Sequence, residues 1–591
     1  MLAKLNNSIL KNIHGFTTDS QCLFYQKLNE LLFHKTNYSY QYKLRNIHSI
    51  LNEILEVIPA IRDTEISSSN LNDLINEAKT YLQNDYIIRT YYSDVQKTLV
   101  RCLKEKPNNK NELLALEYRI KTTLELITPL YFNLVIDSLE ISINEQNSRQ
   151  IEILNELLVT QLINKGWSTR GLKTISNYVF EKKLQYNFER KWRAFKRIIT
   201  EEKTLFHCYI EFPHEDYSDE LDSKTNIQFM TGFDILSTFP NINQDNIKKN
   251  GLFIEEKIEA FKFDLPSVSL ICAQSFAKKQ AILSFHHMHI NFPEHLYIVS
   301  PNEKRLNVVR VFKETSKKTT DNEIDFDYSY NIIRNELVSN NDKERFTNFF
   351  SQYHISINSN SIESEYSSLW SALESLLVTG HHNNKIDHIK SIIPSLLANK
   401  YVYSILKNFL IDCYRVGVIP IFNNQYINIH KPSEEDIRKL FRMFQSQNEL
   451  QNFKDSLKDY TLLDQRLEEI SNILLNSESL KKQLEKHFSK ISTHVQRLYR
   501  VRNHLVHNSH VEKDISLLLN HLHFYTRLTA LELIVNSQTS DEKSIGQSLL
   551  KIEDSYQATI EVLNDNIRSS PKRGEIANFS ENLIFDSLLS P

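Results

Sequence analysis

Residues 494–510, HVQRLYRVRNHLVHNSH, gather side chains that can hold a phosphate and move a proton. Between Lys481 and His510 stand seven basic residues: Lys481, Lys482, Lys486, Lys490, Arg497, Arg500 and Arg502. One acid, Glu485, lies among them, and five histidines join them: His487, His494, His504, His507 and His510. The chain as a whole carries a net charge of −3, so positive charge is concentrated here rather than spread over the surface. Positive charge attracts phosphate, and histidine exchanges protons near neutral pH. Cleavage of RNA by its own 2′-hydroxyl requires both. In that chemistry His507 takes the 2′-hydroxyl proton or gives one to the leaving 5′-oxygen. Arg502 grips the scissile phosphate with its planar donors and stabilises charge in the transition state. Asn503 orients His507 or holds a phosphate oxygen. Arg497 and Arg500 are expected to line an RNA groove or face solvent.

A helix constrains these roles. Five residues turn through about 500°, which leaves Arg502 and His507 some 140° apart, off a common face. Asn503 and His507, at i and i+4, do share one. Three arrangements reconcile the pair: a helix distorted near Asn508-Ser509, a long Arg502 side chain curling round, or a site assembled across two copies. The third is the simplest, because a two-fold axis brings both groups to one groove.

Arg502-Asn503-His504-Leu505-Val506-His507 resembles the R-x4-H motif of HEPN domains, in the form with a polar residue after the arginine. Upstream, Ser367–Leu377 (SSLWSALESLL) resembles the W-x-A-L-E-x-L first helix of ApeA-like HEPN domains. The resemblance covers about residues 361–540, and the two segments come in the family's order. It implies a helical-bundle fold, dimerisation, metal-independent endoribonuclease activity, and roles in toxin–antitoxin and phage-defence systems. Glu374, beside Trp370, Leu373 and Leu377 at the edge of an apolar stripe, is the further site candidate, able to orient Arg502 or His507.

The elements that must position these residues can be read along the chain. Its 591 residues are enough for roughly four domains of about 150 residues. Residues 1–200 read as mostly helical: Ile151, Leu154, Leu158 and Leu162 recur at helical spacing, and Gly166 follows as a C-cap. Residues 201–320 read as a small α+β domain. FHCYIEF, LFIEEKIEAFKF, HLYIVS and NVVRVF look like strands, and Asp264 with Pro266 opens a helix through SVSLICAQSFAKKQAILSF. Residues 321–360 read as a polar, partly helical connector, 361–540 as the HEPN bundle, and 541–591 as a helix with a polar tail. The expected fold is therefore mainly α with an α+β middle region and a C-terminal helical bundle.

Other chemistries find less support. Only nine glycines occur, and neither GxxxxGK[ST] nor GxGxxG is present, which argues against nucleotide-driven readings. The five scattered cysteines form no CxxC pair, against a zinc ribbon and in keeping with a reducing compartment. His286, His287 and His289 lack a completing cysteine or close carboxylate, and His504, His507 and His510 at i, i+3, i+6 drift off one face. No metal or cofactor is expected. The chain is expected to be a cytoplasmic endoribonuclease, a phage-defence or toxin effector regulated by its N-terminal regions. Its partners would be RNA, a second copy and a phage-derived or protein trigger, with no membrane. Two rivals are a catalytically silent HEPN module that binds RNA or scaffolds a partner, and a metal-dependent hydrolase using the histidines.

Overall fold

Side-chain caps and apolar periodicity divide the N-terminal 200 residues into a run of helices. In the computed structural model these are α1 (Asn7–Asn12), α2 (Asp19–Leu31), α3 (Ile47–Arg62), α4 (Ser69–Asn84), α5 (Tyr86–Tyr91), α6 (Ser93–Cys102), α7 (Lys110–Asn144), α8 (Ser148–Asn164), α9 (Thr169–Asn177), a π-helical turn (Tyr178–Lys182) and α10 (Phe188–Thr200). The structure describes residues 6–32, 45–63, 69–103, 107, 109–212, 229–240, 247–285, 295–300, 305–310, 332, 338–377, 385–508, 515–539, 544–569 and 581–585. Asn46, Asp85, Asn109, Asn147, Ser168 and Asn187 each accept a backbone N–H of the helix that follows, satisfying donors a helix start would otherwise leave unpaired. Ile151, Leu154, Leu158 and Leu162 are fully buried. Gly166 ends that helix with φ +99°, a conformation glycine adopts without strain. One apolar core runs from Leu10 to Ile199. Among the described residues one helix, α7, is long and apolar enough to cross a membrane, and half of that stretch is buried in the fold.

The middle region is a five-stranded antiparallel sheet, β1 (Thr204–Phe212), β2 (Phe229–Thr231), β3 (Leu252–Ala260), β4 (His295–Ser300) and β5 (Arg305–Arg310), in the order β2-β3-β1-β4-β5. Alternation sends Phe206, Cys208, Ile210 and Ile254 to one face, against α12 (Leu265–Phe285). Tyr209, Phe253 and Val299 go to the other, beneath α11 (Gly232–Thr238). The four expected strands and the helix after Asp264 are present, whereas β2, only three residues long, carries no periodic signal. Asp264 accepts from the Ser267 amide at 3.1 Å and from both the backbone and hydroxyl of Ser168, the cap of α9. It thus fastens the sheet region to the N-terminal helices. A Cβ on Gly171 would come within 2.1 Å of its carboxylate, so that close approach requires glycine. The HHMH run lies outside the described residues.

The C-terminal part comprises α13 (Asn340–Asn358), α14 (Ile362–Leu377), α15 (Lys385–Asn399), α16 (Tyr401–Val416), a small hairpin β6 (Ile421–Phe422) and β7 (Gln425–Tyr426), α17 (Glu434–Gln445), α18 (Gln447–Ser456), α19 (Thr461–Ile473), α20 (Ser477–Asn508), α21 (Ser516–Thr539), α22 (Ile545–Ser569) and α23 (Glu581–Phe585). It is built on two cores. One joins α13, α14 and α15 to the second half of α20, to α21 and to the start of α22. The other gathers residues 401–484 with Leu563, Ile584 and Phe585. The span 361–540 is therefore interrupted by a unit with its own core. The stretch 321–360 contributes Phe346 and Phe349 of α13 to the bundle, so its second half supplies core residues as well as a connection.

The middle of α20 buries two rings that titrate. His494 and His521 of α21 meet edge to face at 4.8 Å, and Tyr525 Oη lies 3.2 Å from His494 Nδ1. Burial lowers both, with Arg45, Arg497 and Arg500 adding to the effect at His494; His521 falls to about 4. A folded-state value below the unfolded one means stability is complete above pH 6.5 and is lost as pH falls toward 4. Asp412, pushed up to about 6 by burial, works in the opposite sense over part of this window. The free energy of unfolding, and with it the melting temperature, is expected to fall from pH 6.5 to 4, the former by up to about 1.4 kcal/mol per pH unit for each histidine. His521→Leu should flatten that fall; an unchanged slope in thermal melts would contradict the assignment.

Candidate active site

Two helices from the same core frame the motif. On α20 the apolar residues Ile491, Val495, Leu498 and Leu505 recur at helical spacing and are buried. On α14 the stripe Leu369, Trp370, Leu373 and Leu376 is fully buried. Packing these stripes together brings Trp370 against Tyr499, ring centroids 5.8 Å apart. The Tyr366 hydroxyl donates to the Leu498 carbonyl at 2.8 Å. The two helices therefore hold a fixed register, and one turn further along both, Glu374 comes opposite Arg502.

At that edge Arg502 Nη2 lies 3.9 Å from Glu374 Oε2, and the side chains are 30% and 21% exposed. Arg502 Nη1 donates to Asn503 Oδ1 at 3.2 Å. Glu374 is itself held, since the buried Trp370 indole donates to its Oε1 at 2.7 Å. Trp370, Glu374, Arg502 and Asn503 thus form a chain running from the core to the surface. Its outer members keep free donor capacity on a partly exposed guanidinium, next to a carboxylate fixed from behind. That arrangement can receive an oxyanion at Arg502, with Glu374 at 3.9 Å as a nearby counter-charge. Val506, one turn beyond Arg502, is 54% exposed.

The helix is regular through Asn508, so no distortion intervenes between positions 502 and 507, and their separation of about 140° stands. The His507 side chain and all of His510 lie outside the described residues. Among the described residues no three His, Cys, Asp or Glu side chains converge as metal ligands do.

Arg497 and Arg500 correct the reading of the basic stretch. They do not face an RNA groove or solvent, because each is only 4% exposed. Arg497 Nε donates to both oxygens of Glu53, at 3.0 and 2.9 Å, and its Nη2 to Glu77 Oε2 at 2.6 Å. Arg500 Nη2 donates to Glu53 Oε1 at 2.6 Å. Burial alone would raise the Glu53 carboxyl, but Arg497 and Arg500 outweigh it and hold it well below the usual carboxylate range. The physical reason is helical phase. Seven basic residues within 30 or so positions of one helix point to several faces, and these two point at the N-terminal helices α3 and α4. His487 is half-buried, its ring tilted against that of Tyr401 with centroids 4.5 Å apart. Of the residues read from sequence, the structure brings together Arg502, Asn503 and Glu374 and sets Arg497 and Arg500 apart from them. Trp370 was visible only as part of the family resemblance, although its i, i+4 spacing to Glu374 is a local signal for their contact. Glu53 and Glu77 carry no sequence signal.

No family model, curated protein or solved structure matches the chain.

The buried pairs give a sharp contrast between neighbouring arginines. Arg497→Ala removes the 2.6 Å partner of Glu77 and two of the three hydrogen bonds to Glu53, which keeps Arg500, and losing one partner of a buried pair costs about 3–5 kcal/mol. Arg502→Ala, at a partly exposed edge, should change stability by only about 0.5 kcal/mol. Chemical denaturation of the two variants measures both. A stable Arg497→Ala protein would contradict the ion pairing described.

Proposed function

We propose that the C-terminal part is a HEPN-type endoribonuclease that cleaves RNA without a metal, acting in the cytoplasm as a phage-defence or toxin effector. The observation that carries this reading is the convergence of Arg502, Asn503 and Glu374 on one partly exposed edge of the helix that also bears His507. In the reaction the ribose 2′-oxygen attacks the adjacent phosphorus as the bond to the 5′-oxygen breaks. Arg502 holds the non-bridging oxygens and stabilises the charge that gathers on them. Glu374, fixed by Trp370, keeps Arg502 oriented. His507 takes the 2′-hydroxyl proton or supplies one to the leaving 5′-oxygen, and Asn503 binds a phosphate oxygen or orients His507. The regular helix favours a site shared between two copies, in which Arg502 of one chain works with His507 of the other. The exposed Val506 supplies apolar surface for such a pairing.

The test is cleavage in excess chelator. Purified protein should cut RNA in EDTA, leave 2′,3′-cyclic phosphate and 5′-hydroxyl ends, and spare DNA, which lacks the attacking hydroxyl. Arg502→Ala and His507→Ala should each lower the rate by about 10²–10³ while leaving the fold intact. Sedimentation should show a dimer or a higher even assembly. Activity that disappears with chelator and returns with Mg²⁺ or Zn²⁺ would overturn the mechanism, and an active monomer would overturn the shared site.

A further inference from the structure

The face of α20 opposite the motif edge is bound to the N-terminal domain by charge rather than by apolar packing. Arg497 and Arg500 lie about 140° and 200° round the helix from Arg502. They meet Glu53 of α3 and Glu77 of α4 in the four contacts of 2.6–3.0 Å described above. At the edge of this seam Lys390 of α15 pairs with Asp73 of α4 at 2.9 Å. A second cluster grips the preceding helix, α19. Arg466 contacts Glu30 at 2.8 and 2.9 Å and Glu152 at 2.9 Å, beside the fully buried Lys27. The apolar cores on the two sides stay separate, and among the described residues only Leu462 and Leu517 of the C-terminal part pack on the N-terminal core.

Such a seam is specific but not deeply stable. Buried ion pairs gain little over their hydration, whereas an apolar interface would resist opening. This one also carries a defect: Arg500 Nε and Nη1 are buried and have no hydrogen-bond partner among the described residues. Two donors left unpaired in the closed state favour an alternative in which they are satisfied, by water at the least. The seam fixes α20 about its own axis, and the setting it fixes leaves Arg502 at 3.9 Å from Glu374, beyond hydrogen-bond reach.

We propose that the N-terminal helical domain holds α20 in a resting setting through this ionic seam, and that opening the seam at Glu53 and Glu77 raises cleavage at the Arg502 edge. The inference rests on the ribonuclease reading above. The test neutralises equal numbers of acids and arginines in the seam and leaves Arg45, the third arginine facing Glu53 and Glu77, in place: Glu53→Gln, Glu77→Gln, Arg497→Gln and Arg500→Gln together, in the full chain. Amide hydrogen exchange over residues 47–62, 69–84 and 490–508 should speed up. The initial rate of RNA cleavage in EDTA should rise by about tenfold, within the range typical of coupled sites. The milder pair Asp73→Asn with Lys390→Gln should move both readouts the same way by less, and it decides the matter if the fourfold variant does not fold. Unchanged exchange would overturn the claim that these ions hold the seam. Faster exchange with unchanged or slower cleavage would overturn the claim that the seam restrains the site. If neither the wild type nor the variants cut RNA, the ribonuclease reading fails and the restraint of cleavage falls with it. The exchange data then decide only whether the ions hold the seam.

Discussion

Two guanidinium groups buried in the middle of a helix need carboxylates, and in this chain those carboxylates lie more than 400 residues away. That requirement organises the molecule. Arg497 and Arg500 can leave water only if α3 and α4 arrive with Glu53 and Glu77 already placed, which fixes where the N-terminal domain docks and how α20 is turned. Once α20 is turned, its apolar stripe faces α14, α15 and α22, and Arg502 is left at the edge beside Glu374. A single helix therefore serves as a core element, a domain anchor and the carrier of the candidate site. Its charged residues are divided among those roles by angle alone.

The same division separates structural from chemical charge. The arginines facing inward are nearly inaccessible and paired with carboxylates, Arg500 through one of its nitrogens, whereas Arg502 remains partly exposed, with a neighbour-to-neighbour bond to Asn503 and a longer approach to Glu374. Trp370 connects the two regimes. Its ring belongs to the bundle core, and its indole N–H reaches out to fix the carboxylate at the edge. Rigid support behind a small exposed polar group is what transition-state stabilisation requires of a protein scaffold.

How much of this the sequence revealed depended on the range of each signal. Local signals were legible. The spacing of Ile151, Leu154, Leu158 and Leu162 marked a buried helix face, Gly166 its end, and Asp264 with Pro266 the start of α12. Partial alternation in FHCYIEF marked a strand, and the structure showed that both of its faces are covered. Charge counting along α20 failed, because a linear count of basic residues ignores helical phase; the stretch reads as a patch and folds as three faces. The partners Glu53 and Glu77 sit in ordinary amphipathic helices, where a glutamate is expected whatever it contacts. The separate core of residues 401–484 was hidden for a related reason, since each of its helices has the same periodicity as those of the bundle around it. Glu374 was reached through the resemblance to HEPN first helices, and its geometry with Arg502 depends on the register of α14 on α20, which lies outside local pattern.

The central claim is that α20 carries RNA-cleaving chemistry at Arg502 and His507. Sequencing of RNA ends in cells after brief induction tests it most directly, because it needs no knowledge of the target. The account predicts that new ends bearing 5′-hydroxyl and 2′,3′-cyclic phosphate groups accumulate with the wild-type chain and are absent with Arg502→Ala produced at the same level. New ends that appear equally with both proteins, or no new ends under conditions where the wild-type chain arrests growth, would contradict it.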